Sequence, residues 1–366
     1  MSTKILLVKP ADPELEENPR LTQVLEYALA GRDVTVIEQA SLLRRELLTA
    51  GEIRLVLFAV DLGKEGVNLE YERLLRHLRR STDLLEGCVG AVITDARTEL
   101  YTKSTAAELV FAANMAGCTF VGKPLVEGTG SLLNFRVAAM NLGTDDLMEA
   151  YKDSARRLVE SAETFSGYRK KNPKILALHA SSHRTSNTYA LWSAVKEKLL
   201  QEGEGRENPD IREIGLRNGT LYDCSGCSFN ACRHFGEQES CFYGGVIVED
   251  VYPAVREADA VVMICPNYND AISANMTAFI NRLTALYRIR QFYDKAVFAI
   301  IVSGYSGNDT IARQLISAMN MNKNFYLPGR FAMLETANDP GTAVRLPGIQ
   351  ARIESFADRI RQTLIL

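Results

Sequence analysis

Short apolar runs alternate with segments of helical spacing along this chain, and the alternation starts twice. Lys4-Ile-Leu-Leu-Val8 opens the first series and Lys174-Ile-Leu-Ala-Leu178 the second. Runs of this length are too short for helices. Where they are nearly all apolar, they predict parallel strands covered on both faces by crossover helices. In the first series the spacing predicts strands over 4–8, 33–38, 53–60, 89–94 and 118–121, and helices over 21–30, 69–80 and 104–115. In the second it predicts strands over 174–178, 210–214, 258–264 and 296–302. Helices are expected over 188–200, 248–256, 274–287 and 310–321, with a closing helix from Val344 to Leu364. The fold class is α/β, as two tandem doubly wound parallel-sheet domains. Residues 1–143 form the first domain, 144–172 a helical connector ending in the basic linker Arg169-Lys-Lys-Asn-Pro173, and 173–366 the second domain.

The two series match beyond their order. Ala106, Leu109, Ala112, Asn114 and Met115 recur at one constant offset as Ala312, Leu315, Ala318, Asn320 and Met321, and Asn68 has a counterpart in Asn275. A tandem duplication is the expectation. A net charge of −3 gives no electrostatic footprint for nucleic acid or for an acidic membrane. No leader peptide is visible and no apolar run is long enough to span a bilayer, so cytoplasmic residence is expected. Seven cysteines, an odd number, argue against a disulfide framework.

The copies differ after their first strands. In the second half, His179-Ala-Ser-Ser-His-Arg-Thr-Ser-Asn-Thr188 runs from a strand into a helix. The first N–H groups of a helix lack internal partners and carry partial positive charge. Ser181, Ser186, Asn187 and Thr188 add short donors, and His183 can donate more weakly when neutral. The loop lacks dinucleotide glycines and a P-loop lysine, so it suits a compact monophosphate such as that of FMN. The plainer role for these residues is helix capping. In the first half the same position holds Pro10, Asp12, Pro13, Glu14, Glu16 and Glu17. Carboxylates repel a phosphate and prolines remove donors, so that half is expected to lack the cofactor; its alternative is a ligand of its own.

Cys224, Cys227, Cys232 and Cys241 crowd one loop, residues 222–245, in a Cys-x2-Cys-x4-Cys-x8-Cys pattern. Such thiolate sets suit a [4Fe–4S] cluster or zinc, with free thiols as the remaining reading. His234 lies in the same loop and could be a ligand or merely exposed. Cys88, Cys118 and Cys265 stand in apolar strand contexts and are expected to pack.

Three stretches of the second half together resemble the flavodoxin-like NAD(P)H-dependent FMN reductase family. The first is the Ala180–Thr188 loop, where Ser181, Ser186, Asn187 and Thr188 match and Ala180, Ser182 and His183 depart from the family's Gly, Pro and Arg. The second begins Pro266-Asn-Tyr268 and continues through Ser273, Phe279 and Arg282, with Asn281 in place of the family's Asp. The third is Ser303-Gly-Tyr-Ser-Gly-Asn308. The resemblance covers residues 173–335 and implies a flavodoxin-like fold for that half; the first half resembles the fold only through the repeat. It implies FMN held by Ser181, His183, Ser186, Asn187 and Thr188 at the phosphate. Pro266, Asn267, Tyr268, Asn269, Ser303, Gly304, Tyr305 and Gly307 would lie along the ring. NAD(P)H would be the hydride donor, with no side chain needed as acid or base. The cysteine loop stands where the iron-sulfur flavoprotein branch carries its cluster ligands, here at two longer spacings and followed by Glu249-Asp250. The implied function is an NAD(P)H-dependent FMN oxidoreductase passing electrons to a small-molecule or protein acceptor, through a cluster if one is held. Relatives commonly form homodimers. A carrier of electrons between partner enzymes, without its own NAD(P)H turnover, is the alternative; a cofactor-free interaction protein is a third.

Overall fold

The computed structural model describes residues 4–49, 53–181, 186–201, 208–219 and 221–366. The chain divides into two units, Met1–Ser166 and Gly167–Leu366. In the first, β1 (Lys4–Val8), β2 (Val34–Ile37), β3 (Ile53–Asp61), β4 (Val89–Asp95) and β5 (Thr119–Gly128) form one sheet in the order β2-β1-β3-β4-β5. In the second, β6 (Lys174–His179), β7 (Asp210–Gly215), β8 (Ala260–Pro266), β9 (Ala296–Ser303) and β10 (Ala332–Thr336) are ordered β10-β9-β8-β6-β7. All the named pairings are parallel. Each unit therefore has the flavodoxin-like strand order, which reverses between its first and third strands. Central strands are buried along almost their whole length, as expected of a sheet covered on both faces. The outer strand β7, Asp-Ile-Arg-Glu-Ile-Gly, alternates polar and apolar residues and is mostly half-exposed.

Helix starts follow their capping residues. Asn18 accepts from Leu21 N and precedes Pro19 at the first helical position, Asp146 accepts from Met148 N and Glu149 N, and Ser186 accepts from Tyr189 N. The helix Leu147–Thr164, which precedes the basic linker, packs its Ala150, Tyr151, Ala155, Leu158 and Val159 into the first unit's core. The paired Asn114 and Asn320 are both buried, and each donates its amide to a backbone carbonyl just beyond its helix, Cys118 O at 2.9 Å and Phe325 O at 2.7 Å. Asn68 and Asn275 also face carbonyls near strand ends, but different ones: Asp61 O at the end of β3 and Pro10 O beyond β1 for Asn68, and Leu216 O after β7 for Asn275.

Several elements depart from the sequence expectation. Strand β10 has no counterpart in it. β5 runs on to Gly128 instead of stopping at Val121; the reading breaks where Lys123 takes φ +57°, Pro124 lacks an N–H and the pairing with β4 shifts register. The closing helix spans Ile349–Leu364 and is cut from the turn Ala343–Arg345 by Pro347 and by Gly348 at φ +68°. Among the described residues no helix is long and apolar enough to cross a membrane.

Candidate functional site

Three of the second unit's loops leave the carboxyl ends of adjacent strands, β6, β8 and β9. That edge, at the point where the strand order reverses, is where open α/β sheets bind ligands. After β6, Ser181 Oγ is buried and has no hydrogen-bond partner among the described residues. His183 lies outside those residues. Ser186 caps the helix Asn187–Leu200, and its hydroxyl lies 2.8 Å from that of the buried Thr188. The Asn187 amide donates to Ala337 O and Asp339 O at 3.2 and 2.9 Å, and its oxygen accepts from Ala343 N. All three side-chain bonds tie this helix to the loop beyond β10. What Asn187 can still offer a ligand is its backbone N–H, one of the first of the helix.

After β8, the Asn267 amide lies within 3.0–3.1 Å of Asp270 Oδ1, Ser303 Oγ and Ser306 O, so it joins the second loop to the third. Asn269 and Asp270 both adopt φ +56°, a strained pair of left-handed residues that turns the chain back. Ser273 Oγ, at the start of the next helix, is buried and unpartnered among the described residues. After β9, Ser303 is buried and donates to Asn308 Oδ1 at 2.7 Å. A Cβ on Gly304 would lie 2.9 Å from Asn338 Oδ1, and one on Gly307, at φ +88°, would overlap Asp270 Oδ1. Tyr268 and Tyr305 stand in solvent, 56% and 82% exposed, flanking this edge. The polar side chains thus mostly brace the loops against each other. They leave backbone, two buried hydroxyls and two exposed aromatic rings at the strand ends.

The cysteine loop is a second constellation. Cys224 and Cys227 are exposed, Cys232 and Cys241 half-buried, and all four line one cavity of about 160 Å³. A helix absent from the sequence expectation, Phe229–Glu237, carries Cys232 and is capped by Ser228. Gly236 lets it approach the helix Ala274–Tyr287 so closely that a Cβ would overlap Ala285 O. Phe235, Phe242 and Tyr243 meet edge to face in the cavity wall. Arg282 also lines it, buried, a residue marked in the sequence only by its match to the family pattern. Among the described residues no three His, Cys, Asp or Glu side chains converge closely enough to hold a single metal ion. His234 is exposed, lies near the Gln238 amide and is not in the cavity wall.

Residues 173–339 match the family model described as NADPH-dependent FMN reductase. The match falls within the second unit and bears out the resemblance read from the sequence. The chain is accordingly an NAD(P)H-dependent FMN oxidoreductase, and the loops at the strand ends fall within the matched segment. No curated protein matches the chain. Among solved structures, an NAD(P)H:quinone oxidoreductase from Methanothermobacter marburgensis is 17% identical, with 52% of this chain and 98% of that one covered and a TM-score of 0.38. An FMN-dependent NADH-azoreductase from Bacillus anthracis, in complex with FMN, is 13% identical, with coverage of 51% and 99% and a TM-score of 0.35. Likeness at this level carries no conclusion about the chemistry of this chain.

The corresponding strand ends of the first unit are filled by its own side chains. Asp95, at the end of β4, is fully buried and accepts from Arg20 Nε and Nη2 at 3.1 and 2.6 Å, from Asn18 Nδ2 at 2.9 Å and from the Tyr151 hydroxyl at 3.1 Å. Asn18 also donates to Asp61 Oδ1 at the end of β3. Asp12, one of the carboxylates expected to repel a phosphate, accepts from Leu69 N at 2.5 Å and so covers the start of the helix Leu69–Arg79.

Thiol reactivity should divide the seven cysteines. Burial pushes the Cys88 thiol up to about 11, aided by Glu86, and the Cys265 thiol up to about 12; burial also lifts the Cys118 thiol far above its ordinary range. These three stay protonated at neutral pH and should not react in the folded chain. Brief iodoacetamide treatment of metal-stripped protein, read by peptide mass mapping, is expected to label Cys224 and Cys227 first. Labelling of Cys265 at the same rate would mean that β8 is not the buried central strand described above.

Proposed function

We propose that the second unit binds FMN along the carboxyl ends of β6, β8 and β9, oxidises NAD(P)H there, and passes electrons to a small-molecule or protein acceptor. The observation that carries this reading is the family match falling on three loops at a single sheet edge, two of them joined through Asn267 and the third tied by Asn187 to the loop beyond β10. The residues present fit the group. Ser181 Oγ, buried and unpartnered among the described residues, and the first N–H groups of the helix Asn187–Leu200 suit the phosphate, together with Ser186, Thr188 and His183. Pro266, Asn267, Tyr268 and Asn269 on one loop and Ser303, Gly304, Tyr305 and Gly307 on the other suit the ring. Gly304 and Gly307 are positions where a side chain would collide with the neighbouring loop. FMN, when bound, supplies the hydride and single-electron chemistry; the chain binds, orients and shields it.

In the same proposal Cys224, Cys227, Cys232 and Cys241 hold a [4Fe–4S] cluster. Four reduced thiols lining one cavity are a donor set soft enough for it. The arrangement of ten strands as two like-ordered sheets, with Asn114 and Asn320 in one role, supports a tandem duplication in which the first unit carries no cofactor.

Protein purified without air should show flavin absorption and a broad shoulder near ~400 nm, with about four irons and four labile sulfides per chain, and should oxidise NADPH with ferricyanide as acceptor. A chain that stays colourless after incubation with FMN would sink the flavin assignment. Flavin without iron would leave the reductase and remove the cluster. A flavin that no pyridine nucleotide reduces would leave an electron carrier.

A further inference from the structure

Arg282 is only 2% exposed, in the wall of the four-cysteine cavity. Its Nη1 and Nη2 donate to Tyr222 O at 3.3 Å and Gly244 O at 2.6 Å, carbonyls just outside the two ends of the Cys224–Cys241 segment. Its Nε is buried and unpartnered among the described residues. Its hydrogen-bond partners there are neutral. The preceding residue is Asn281, whose amide donates to Asp223 instead. The Arg282 Cζ lies 6.0 Å from the centroid of the Tyr243 ring. A guanidinium stays charged at any accessible pH, and burying one against neutral acceptors and a ring is costly. The charge calls for an anion, and the four thiols that share its cavity would supply one on holding a cluster.

We propose that Arg282 is the counter-charge of an anionic four-thiolate cluster in this cavity and a determinant of its reduction potential. This rests on the cluster reading above. A cluster held by four thiolates bears net negative charge, and one-electron reduction adds one more. A fixed cation beside it in a poorly hydrated wall favours the reduced form. Arg288, on the same wall, is half-exposed and lies 4.3 Å over the Phe229 ring, so solvent weakens its effect. Arg282 is thus a tuning residue, and its two carbonyl bonds also hold the loop ends together.

The test uses the full chain purified without air, as wild type and as Arg282→Gln, Arg282→Lys and Arg288→Gln. Iron, labile sulfide and FMN are assayed, and the cluster is titrated with dithionite and mediators under EPR detection. With iron retained, Arg282→Gln should shift the oxidised-to-reduced equilibrium at least about tenfold toward the oxidised form, about 59 mV for one electron. Arg282→Lys and Arg288→Gln should stay within about threefold of wild type, on the same charge argument. An iron-loaded Arg282→Gln protein within that narrow range overturns the proposal. Should the Gln variant lose its cluster, Arg282→Lys decides. A wild-type-like midpoint in that variant supports the charge role, and a tenfold fall overturns it. Loss of iron from both variants with FMN retained also overturns it, leaving Arg282 a clamp. An iron-free wild type removes the cluster reading itself, and this proposal with it.

Discussion

Replacing Arg20 by Met is expected to destabilise the first unit by about 3 kcal/mol at neutral pH, at the lower end for breaking a buried pair because Arg20 is itself 24% exposed. The substitution leaves the Asp95 carboxyl fully buried with only Asn18 and Tyr151 as donors. Burial already holds that carboxyl above its usual range, against the lowering effects of Arg20, Asn18 and Tyr151. Removing Arg20 should raise it further. A group whose folded-state pKa lies above its unfolded value binds more protons when folded. Its contribution to stability is therefore greatest below the unfolded carboxylate range and is lost as pH rises through the folded value. The deficit of Arg20→Met should thus be largest at neutral pH and shrink on acidification as Asp95 takes up its proton. Hydrogen exchange of the β1–β5 core in the full chain, at several pH values, reads this without assuming one transition for two units. A deficit that stays constant with pH would mean that Asp95 is not the group left unpaired.

Much of this arrangement was legible in the residues. The paired apolar runs identify the central strands because those strands are buried on both faces, and burial leaves little room for polar residues. The loop after β6 and the two later loops also stand out, because polar residues and glycines follow directly on such strands. Strand β10 was not legible. It is short and at the edge, it follows an irregular stretch, and it carries the charged Glu335. Glu335 is buried under Arg352, which donates to both its carboxylate oxygens at 2.7 and 2.9 Å. Arg352 lies seventeen positions on, and no local pattern announces that pair. The same limit applies at the site. That Asn187 and Asn267 carry amides is plain from the sequence. That these amides bind Ala337, Asp339, Ser303 and Ser306 rather than reach for a ligand depends on loops brought together only by the sheet. In the first unit the sequence displayed the carboxylates of residues 12–17. It gave no sign that Arg20 would bridge to Asp95, seventy-five residues away, and fill the strand ends.

Those braced loops make Gly307→Ala the substitution with the largest expected effect on cofactor binding. Two penalties combine at this position. The backbone sits at φ +88°, where a side chain costs about 1–2 kcal/mol. The added Cβ would also overlap Asp270 Oδ1 and lie 2.7 Å from Asn267 Nδ2, the amide that joins the second loop to the third. Asp270 is itself left-handed and donates its N–H to Asn267 Oδ1 at 2.8 Å, so it has little room to yield without breaking that turn. The loops must separate, and FMN affinity should fall at least about tenfold, or about 1.4 kcal/mol. Gly341→Ala is the matched control. It has a similar backbone, φ +74°, and nothing within 4 Å of the added Cβ. It should lower stability by about 1 kcal/mol, through the backbone alone, and leave FMN affinity within about threefold. Fluorescence titration of the apoproteins with FMN, alongside denaturant unfolding, separates the two penalties. If both variants lose stability and both keep wild-type FMN affinity, the contact between the loops after β8 and β9 serves only to hold the strand ends together. The flavin would then have to be sought away from Gly307.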